Sequence, residues 1–454
     1  KTNEATKNYY VYLNISENTF TYTQNESTPE LLLTIKDTSG NEITSITGLT
    51  HKTVTDGKGA SISGFDITTK SGVITLFDNR EITANPAKTE EWNITVTFVN
   101  YNANQAGNAG KSFNAKLMIQ KEKIPTVLSD VCTSGNNLAT CITTLSNKSE
   151  PSIVNIYHHT SSLANGAGDN SYRYAGANPN NFVCFGTTES PCPTDNLYRI
   201  IGVFGENYHG VTGKQLVKLI KYDYMTTDEL GTDGDYSQTY KEWGMDSTYK
   251  GTYGDGERIG VYYWNYKATG SATNTWSTSL LNKTNLNTNF INNIGTTWAN
   301  KIATVTWKVG GNTWANIGTK TSSVAYTNEI TNPVTTNTTD NATTYSAKIG
   351  LMYVSDYGYS VQKNYWGEIL FNYNGISIDG PLRLLNWMYM GATEWTISPD
   401  TTATYDVFAI YYDGRIINQT VDDLSFYFRP VFFLNSSVSY VSGTGTQSDP
   451  IRIN

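Results

Sequence analysis

Charge is scarce in this chain: Asp, Glu, Lys and Arg make up only 16% of its 454 residues, and it holds just four histidines and four cysteines. The formal balance is −8 and no Lys/Arg cluster occurs, so the footprint of a nucleic-acid or anionic-lipid partner is missing. No run approaches the ~18 apolar residues that span a bilayer. The histidines, His51, His158, His159 and His209, stand outside any HExxH or nucleophile-elbow context. Neighbours on a strand face opposite ways, so His158 and His159 are poorly placed to share a metal. The cysteines fall in two close pairs, Cys132 with Cys141 and Cys184 with Cys192. Their gaps do not suit zinc ligation, and two short-loop disulfides of an oxidising compartment are the better reading, with free thiols as the alternative. No cofactor and no catalytic residue is expected.

What is abundant is Tyr (32), Gly (38), Thr, Ser and Asn, a mixture that favours strands and turns over helix. The length asks for two domains at ~100–200 residues each. The first residues, Lys1-Thr2-Asn3-Glu4, are not a start methionine and read as a mature form after removal of an export signal.

Strand-like runs dominate residues 8 to about 121, and Trp92 to Val99 alternates cleanly. The runs are Tyr9-Tyr10-Val11-Tyr12-Leu13, Leu31 to Ile35, Gly64 to Ile67, Gly72 to Phe77, Trp92 to Val99 and Phe113 to Ile119, with turn signals at Ser39-Gly40-Asn41 and Asp56-Gly57. About seven short strands predict a β-sandwich of jelly-roll or immunoglobulin-like type over 1–123. Residues 124–170 read as a linker and disulfide-bearing segment, and 171–454 as a larger α+β domain. In the latter, Tyr198 to Phe204 and Leu216 to Ile220 pair as a hairpin. Trp276, Leu280, Leu286, Phe290, Ile294, Trp298 and Ile302 follow a helical spacing, strands return at Ile349, Trp395, Val407 and Val431, and the Asn/Thr-rich 327–345 reads as a loop.

Two resemblances follow from these runs. Trp92-Asn93-Ile94-Thr95-Val96-Thr97-Phe98, followed by Asn104 to Lys111 and Phe113 to Leu117, resembles the TasA and camelysin group of biofilm-fibre proteins over about 30 residues. The resemblance implies a sandwich that polymerises by lending an N-terminal strand to a neighbour, which is β-augmentation. The implied donor is Tyr9, Tyr10, Val11, Tyr12 and Leu13, whose other reading is the first strand of its own sheet. Trp276 to Leu280, Leu286 to Ile291, Glu394 to Ser398, Asp413-Gly414-Arg415 and Phe428-Arg429-Pro430-Val431 resemble C-type-lectin-like surface modules of gut Gram-positive bacteria, akin to formylglycine-generating-enzyme-like domains. The late cysteines that such an oxidation needs are missing, so that activity is not carried over.

Among the remaining candidates, Glu368, Asp379 and Asp422-Asp423 are carboxylates without a glycosidase signature. Asp233-Gly234-Asp235 and Asp255-Gly256-Glu257 depart from the calcium-loop pattern. Lysine and asparagine beside a buried carboxylate form isopeptide cross-links in surface sandwiches, but asparagine is too frequent here to single out a pair. The aromatic concentration Tyr353, Tyr357, Tyr359, Tyr365, Trp366, Trp387, Tyr389 and Trp395 suits sugar rings or protein partners, and Tyr357, Tyr359 and Trp366 are expected at the surface. The function that follows is a structural subunit of an extracellular filament or matrix fibre that binds copies of itself. The rivals are a monomeric adhesin for glycan or host protein, and a secreted hydrolase.

Overall fold

The computed structural model describes residues 7–83, 88–225, 262–267, 270–335, 342–422 and 426–454. The chain is mainly β and divides into two units, Lys1–Ile124 and Pro125–Asn454.

The first unit has seven strands: β1 (Lys7–Asn18), β2 (Leu31–Asp37), β3 (His51–Thr55), β4 (Ser61–Asp66), β5 (Gly72–Ile82), β6 (Trp92–Phe98) and β7 (Phe113–Gln120). They form two antiparallel sheets, ordered β5-β1-β7 and β3-β4-β2-β6. Alternation decides which side chains meet between them. Val11, Leu13 and Ile15 of β1 join Leu31, Leu33 and Ile35 of β2, with Phe65, Ile74, Leu76 and Phe77, in one core. Each such side chain contributes ~1.5–3 kcal/mol by leaving water. The β3–β4 turn is tied by Asp56, whose carboxylate accepts from the N–H of Lys58 (2.9 Å) and Ala60 (2.7 Å) while Gly59 takes the left-handed backbone (φ 84°).

The second unit is organised on a seven-stranded sheet. Its order runs from Ile349–Gly350 through Val431–Phe433 to β12 (Leu216–Lys221), β11 (Leu197–Phe204), β9 (Tyr172–Tyr174) and β8 (Ile156–His158), and β10 (Phe182–Cys184) also pairs β11. Strands β11 and β12 are antiparallel, as their apolar runs predict, and every residue of both is buried. Both disulfides are formed, Cys132–Cys141 and Cys184–Cys192.

Two expectations are corrected here. Residues 124–170 are not a linker: helix α1 (Leu138–Lys148), capped by Asn137 accepting from Thr140 N–H, buries Leu138, Cys141, Ile142 and Leu145 in the core of the second unit. Residues 327–345 are not simply a loop either. Thr327–Thr331 is a helical turn with Glu329 and Ile330 buried, and Thr344–Ala347 pairs with Val305–Lys308. The stretch from Trp276 is helical as its spacing predicts, but in pieces. A wide π-helical segment covers Leu281–Phe290, and Ile294 separates Ile291–Asn293 from Gly295–Ala299, the latter opening on the left-handed Gly295 (φ 75°).

Candidate functional site

Among the described residues, strand β6 pairs only with β2, and β7 only with β1, so each leaves one edge unpaired there. Trp92 and Ile94 of β6, and Phe113 and Ala115 of β7, pack against the core. By the period-2 rule Val96, Phe98, Leu117 and Ile119 point the same way as these, yet they are 37%, 43%, 45% and 69% exposed. A groove of about 400 Å³ is lined by Val11 of β1, Phe77 and Ile82 of β5, Trp92 and Ile94 of β6, and Leu117 and Ile119 of β7. Both strands alternate in polarity, and the far half of each apolar face is left in water as a stripe that a further strand would cover.

One end of the groove is held by charge. Arg80 donates to both oxygens of Glu90 at 2.8 Å, Lys88 lies 2.8 Å from the same carboxylate, and the Tyr9 hydroxyl donates to it as well. The Arg80 bond, with those from Lys88 and Tyr9, holds the Glu90 carboxyl well below the usual carboxylate range. The Arg80 guanidinium in turn sits 5.0 Å from the Trp92 ring and 5.2 Å from Phe77. This end of the groove is thus held by a bidentate ion pair whose guanidinium lies against the tilted Phe77 and Trp92 rings.

Tyr9, Tyr10, Val11, Tyr12 and Leu13 lie in the middle of their own sheet. Val11 opposes Phe77 on one side and Ile119 on the other, and Leu13 opposes Ile74 and Leu117. Tyr12 is buried on the outer face, where its hydroxyl accepts from Ile124 N–H. Lending this strand would dismantle the three-stranded sheet, so the expectation of a free donor at Tyr9 to Leu13 is corrected.

The expected ligand surface is corrected too. Tyr357 (0% exposed), Tyr359 (1%) and Trp366 (0%) are interior. Tyr357 donates to Gly414 C=O (2.7 Å), and Trp366 Nε1 donates to the carbonyls of Tyr359 (3.1 Å) and Val361 (3.0 Å). Tyr353, Trp387 and Trp395 are buried as well, leaving Tyr365 and Tyr389 partly exposed. His159 is also a core residue: its Nδ1 accepts from Ala167 N–H, and its ring packs on Tyr359 and Trp366. Asp233-Gly234-Asp235 and Asp255-Gly256-Glu257 lie outside the described residues, as does Asp423.

The polar chemistry of the second unit lies inside it. Arg173 is enclosed by the rings of Phe204, Tyr359, Tyr326 and Tyr208 at 4.7 to 5.5 Å and pairs with Asp169 at 2.9 Å. Glu329 accepts from the N–H groups of Val354 (3.1 Å) and Ser355 (3.0 Å) and from the Ser398 hydroxyl. Burial pushes its carboxyl up to about 7. An acid raised in this way binds its proton in the folded chain where the unfolded chain has lost it, so stability falls as pH rises from about 4.5 to about 7. Glu329→Gln mimics the protonated acid. It is expected to remove this slope, worth roughly 3 kcal/mol, when urea unfolding is compared at pH 5 and pH 8.

No family model, curated protein or solved structure matches the chain. Among the described residues, no helix is long and apolar enough to cross a membrane.

Proposed function

We propose that the chain is a structural subunit of an extracellular bacterial filament or matrix fibre, in which the Lys1–Ile124 unit is an incomplete β-sandwich. Its groove between β6 and β7 takes an extended strand from a second copy, and the Pro125–Asn454 unit is a C-type-lectin-like module carried on the outside. The observation that carries this reading is the exposed apolar stripe Val96, Phe98, Leu117 and Ile119 flanked by two unpaired strand edges. An inserted strand supplies main-chain hydrogen bonds to both edges and covers side chains worth ~1.5–3 kcal/mol each. The two formed disulfides agree with an oxidising, extracellular setting. The occupant is a strand other than β1, because β1 already completes its own sheet.

The variant Leu117→Lys with Ile119→Lys is expected to abolish polymers in electron micrographs and light scattering of concentrated protein. Both side chains are largely exposed in the single chain, so its unfolding free energy should stay within about 1 kcal/mol of wild type. Wild-type protein that remains a monodisperse monomer at high concentration would sink the reading. The rival, a monomeric adhesin, draws on the rings of Tyr405 and Tyr412, 50% and 57% exposed on the second unit. It calls for glycan or host-protein binding by a monomer.

A further inference from the structure

Lys218 sits on β12, whose backbone is fixed on both sides, opposite Gly202 of β11 and opposite Phe433. Its side chain is fully buried, and its ammonium nitrogen stands 4.4, 4.8 and 5.5 Å from the ring centres of Tyr353, Tyr208 and Trp307. Asp356, on the short helix Val354–Ser360, meets it there: Nζ lies 2.5 Å from Oδ2. Oδ2 also accepts from Tyr353 N–H at 3.0 Å. The Tyr208 hydroxyl donates to Oδ1 at 2.8 Å and accepts from Nζ at 2.8 Å. Amine, carboxyl and hydroxyl therefore close a ring of contacts in a water-poor, aromatic interior.

Two opposite charges kept there each carry a desolvation penalty of several kcal/mol. Burial also brings the Lys218 ammonium down to about 8, which eases release of its proton, and a desolvated lysine amine is a nucleophile. A carboxyl fixed against it stands at an effective concentration of about 10⁵ M or more. Condensation removes both charges.

We propose that Lys218 and Asp356 become joined by an intramolecular isopeptide bond, formed inside the folded chain with loss of one water. The Nζ lone pair attacks Cγ of Asp356, forming the C–N bond, and the Cγ–Oδ1 bond breaks. Of the three protons on the ammonium one stays as the amide N–H. The other two leave with Oδ1 as water, relayed through Tyr208, whose oxygen takes a proton from nitrogen and gives one to Oδ1. Oδ2 remains as the amide carbonyl, held by Tyr353 N–H. Arg173, whose Nη1 lies 3.7 Å from Oδ1, keeps its charge balanced by Asp169 afterwards.

The test is the intact mass of the full chain, purified folded, then denatured and reduced so that the disulfides do not contribute. The expected mass is one water below that of the sequence, and tandem fragmentation should place the loss in a branched peptide joining Lys218 to Asp356. Asp356→Ala and Lys218→Ala should restore the full sequence mass. The wild-type measurement decides without requiring either variant to fold. A wild-type chain at full sequence mass overturns the proposal, and so does a loss of water that survives Asp356→Ala or maps to a single unbranched peptide.

Discussion

Trp366→Ala is expected to cost the Pro125–Asn454 unit about 3–5 kcal/mol of unfolding free energy, as buried Trp-to-Ala changes do. The ring has no exposed surface and packs edge-on against Tyr157 and Tyr359 and at a tilt against His159. Its Nε1 is shared between the carbonyls of Tyr359 and Val361, which lose that donor when the indole goes. Trp314 is the control: it is 38% exposed with one edge-on contact to Phe371, so Trp314→Ala should cost no more than about 1 kcal/mol. Urea unfolding followed separately for the two units gives the comparison. If Trp366→Ala left stability unchanged and instead removed binding to a glycan array, the interior placement of this residue would be wrong.

The same residue shows where sequence reading runs out. The stretch from Tyr353 to Trp366 interleaves rings with Ser, Asp, Gly, Gln, Lys and Asn, which looks like an exposed aromatic loop. Tyr353, Tyr357, Tyr359 and Trp366 are nonetheless interior, and the polar residues between them find partners: the single Ser360 hydroxyl proton is shared between Tyr357 C=O and Asn386 Oδ1, and Asp356 takes Lys218, Tyr208 and Tyr353. Such satisfaction depends on partners far away in the chain. Lys218 and Asp356 are 138 residues apart, and Glu329 sits in a segment whose Asn and Thr content argues for a loop. Strands β1, β2, β6 and β7 were legible because short β-branched, aromatic and apolar runs, alternating in β6 and at the start of β7, are a local property, and so was the β11–β12 hairpin. The groove falls between these cases. Alternation marks the inner faces of β6 and β7, but it reads the same whether the covering strand belongs to this chain or to another.

Glu394 and Arg429 offer the second large effect. Arg429 Nε and Nη2 donate to the two carboxylate oxygens of Glu394 at 2.8 and 2.9 Å, Nη2 also donates to Met388 C=O, and both side chains are buried. Arg429→Met should therefore cost about 3–5 kcal/mol, chiefly because it strands a carboxylate in the interior. The double variant Glu394→Met with Arg429→Met should recover much of that loss, since apolar side chains carry no desolvation penalty there. Burial already raises the Glu394 carboxyl above its ordinary range with Arg429 opposing, and removing the arginine lifts it further. The single variant should then gain stability, relative to wild type, as pH is lowered from 8 toward 5, because its folded form holds a proton that the unfolded chain releases. Urea unfolding of the four proteins of this cycle at both pH values measures the coupling. A double variant no more stable than Arg429→Met, with no pH dependence in the single, would mean that the arginine acts through its packing and its bond to Met388 rather than through charge.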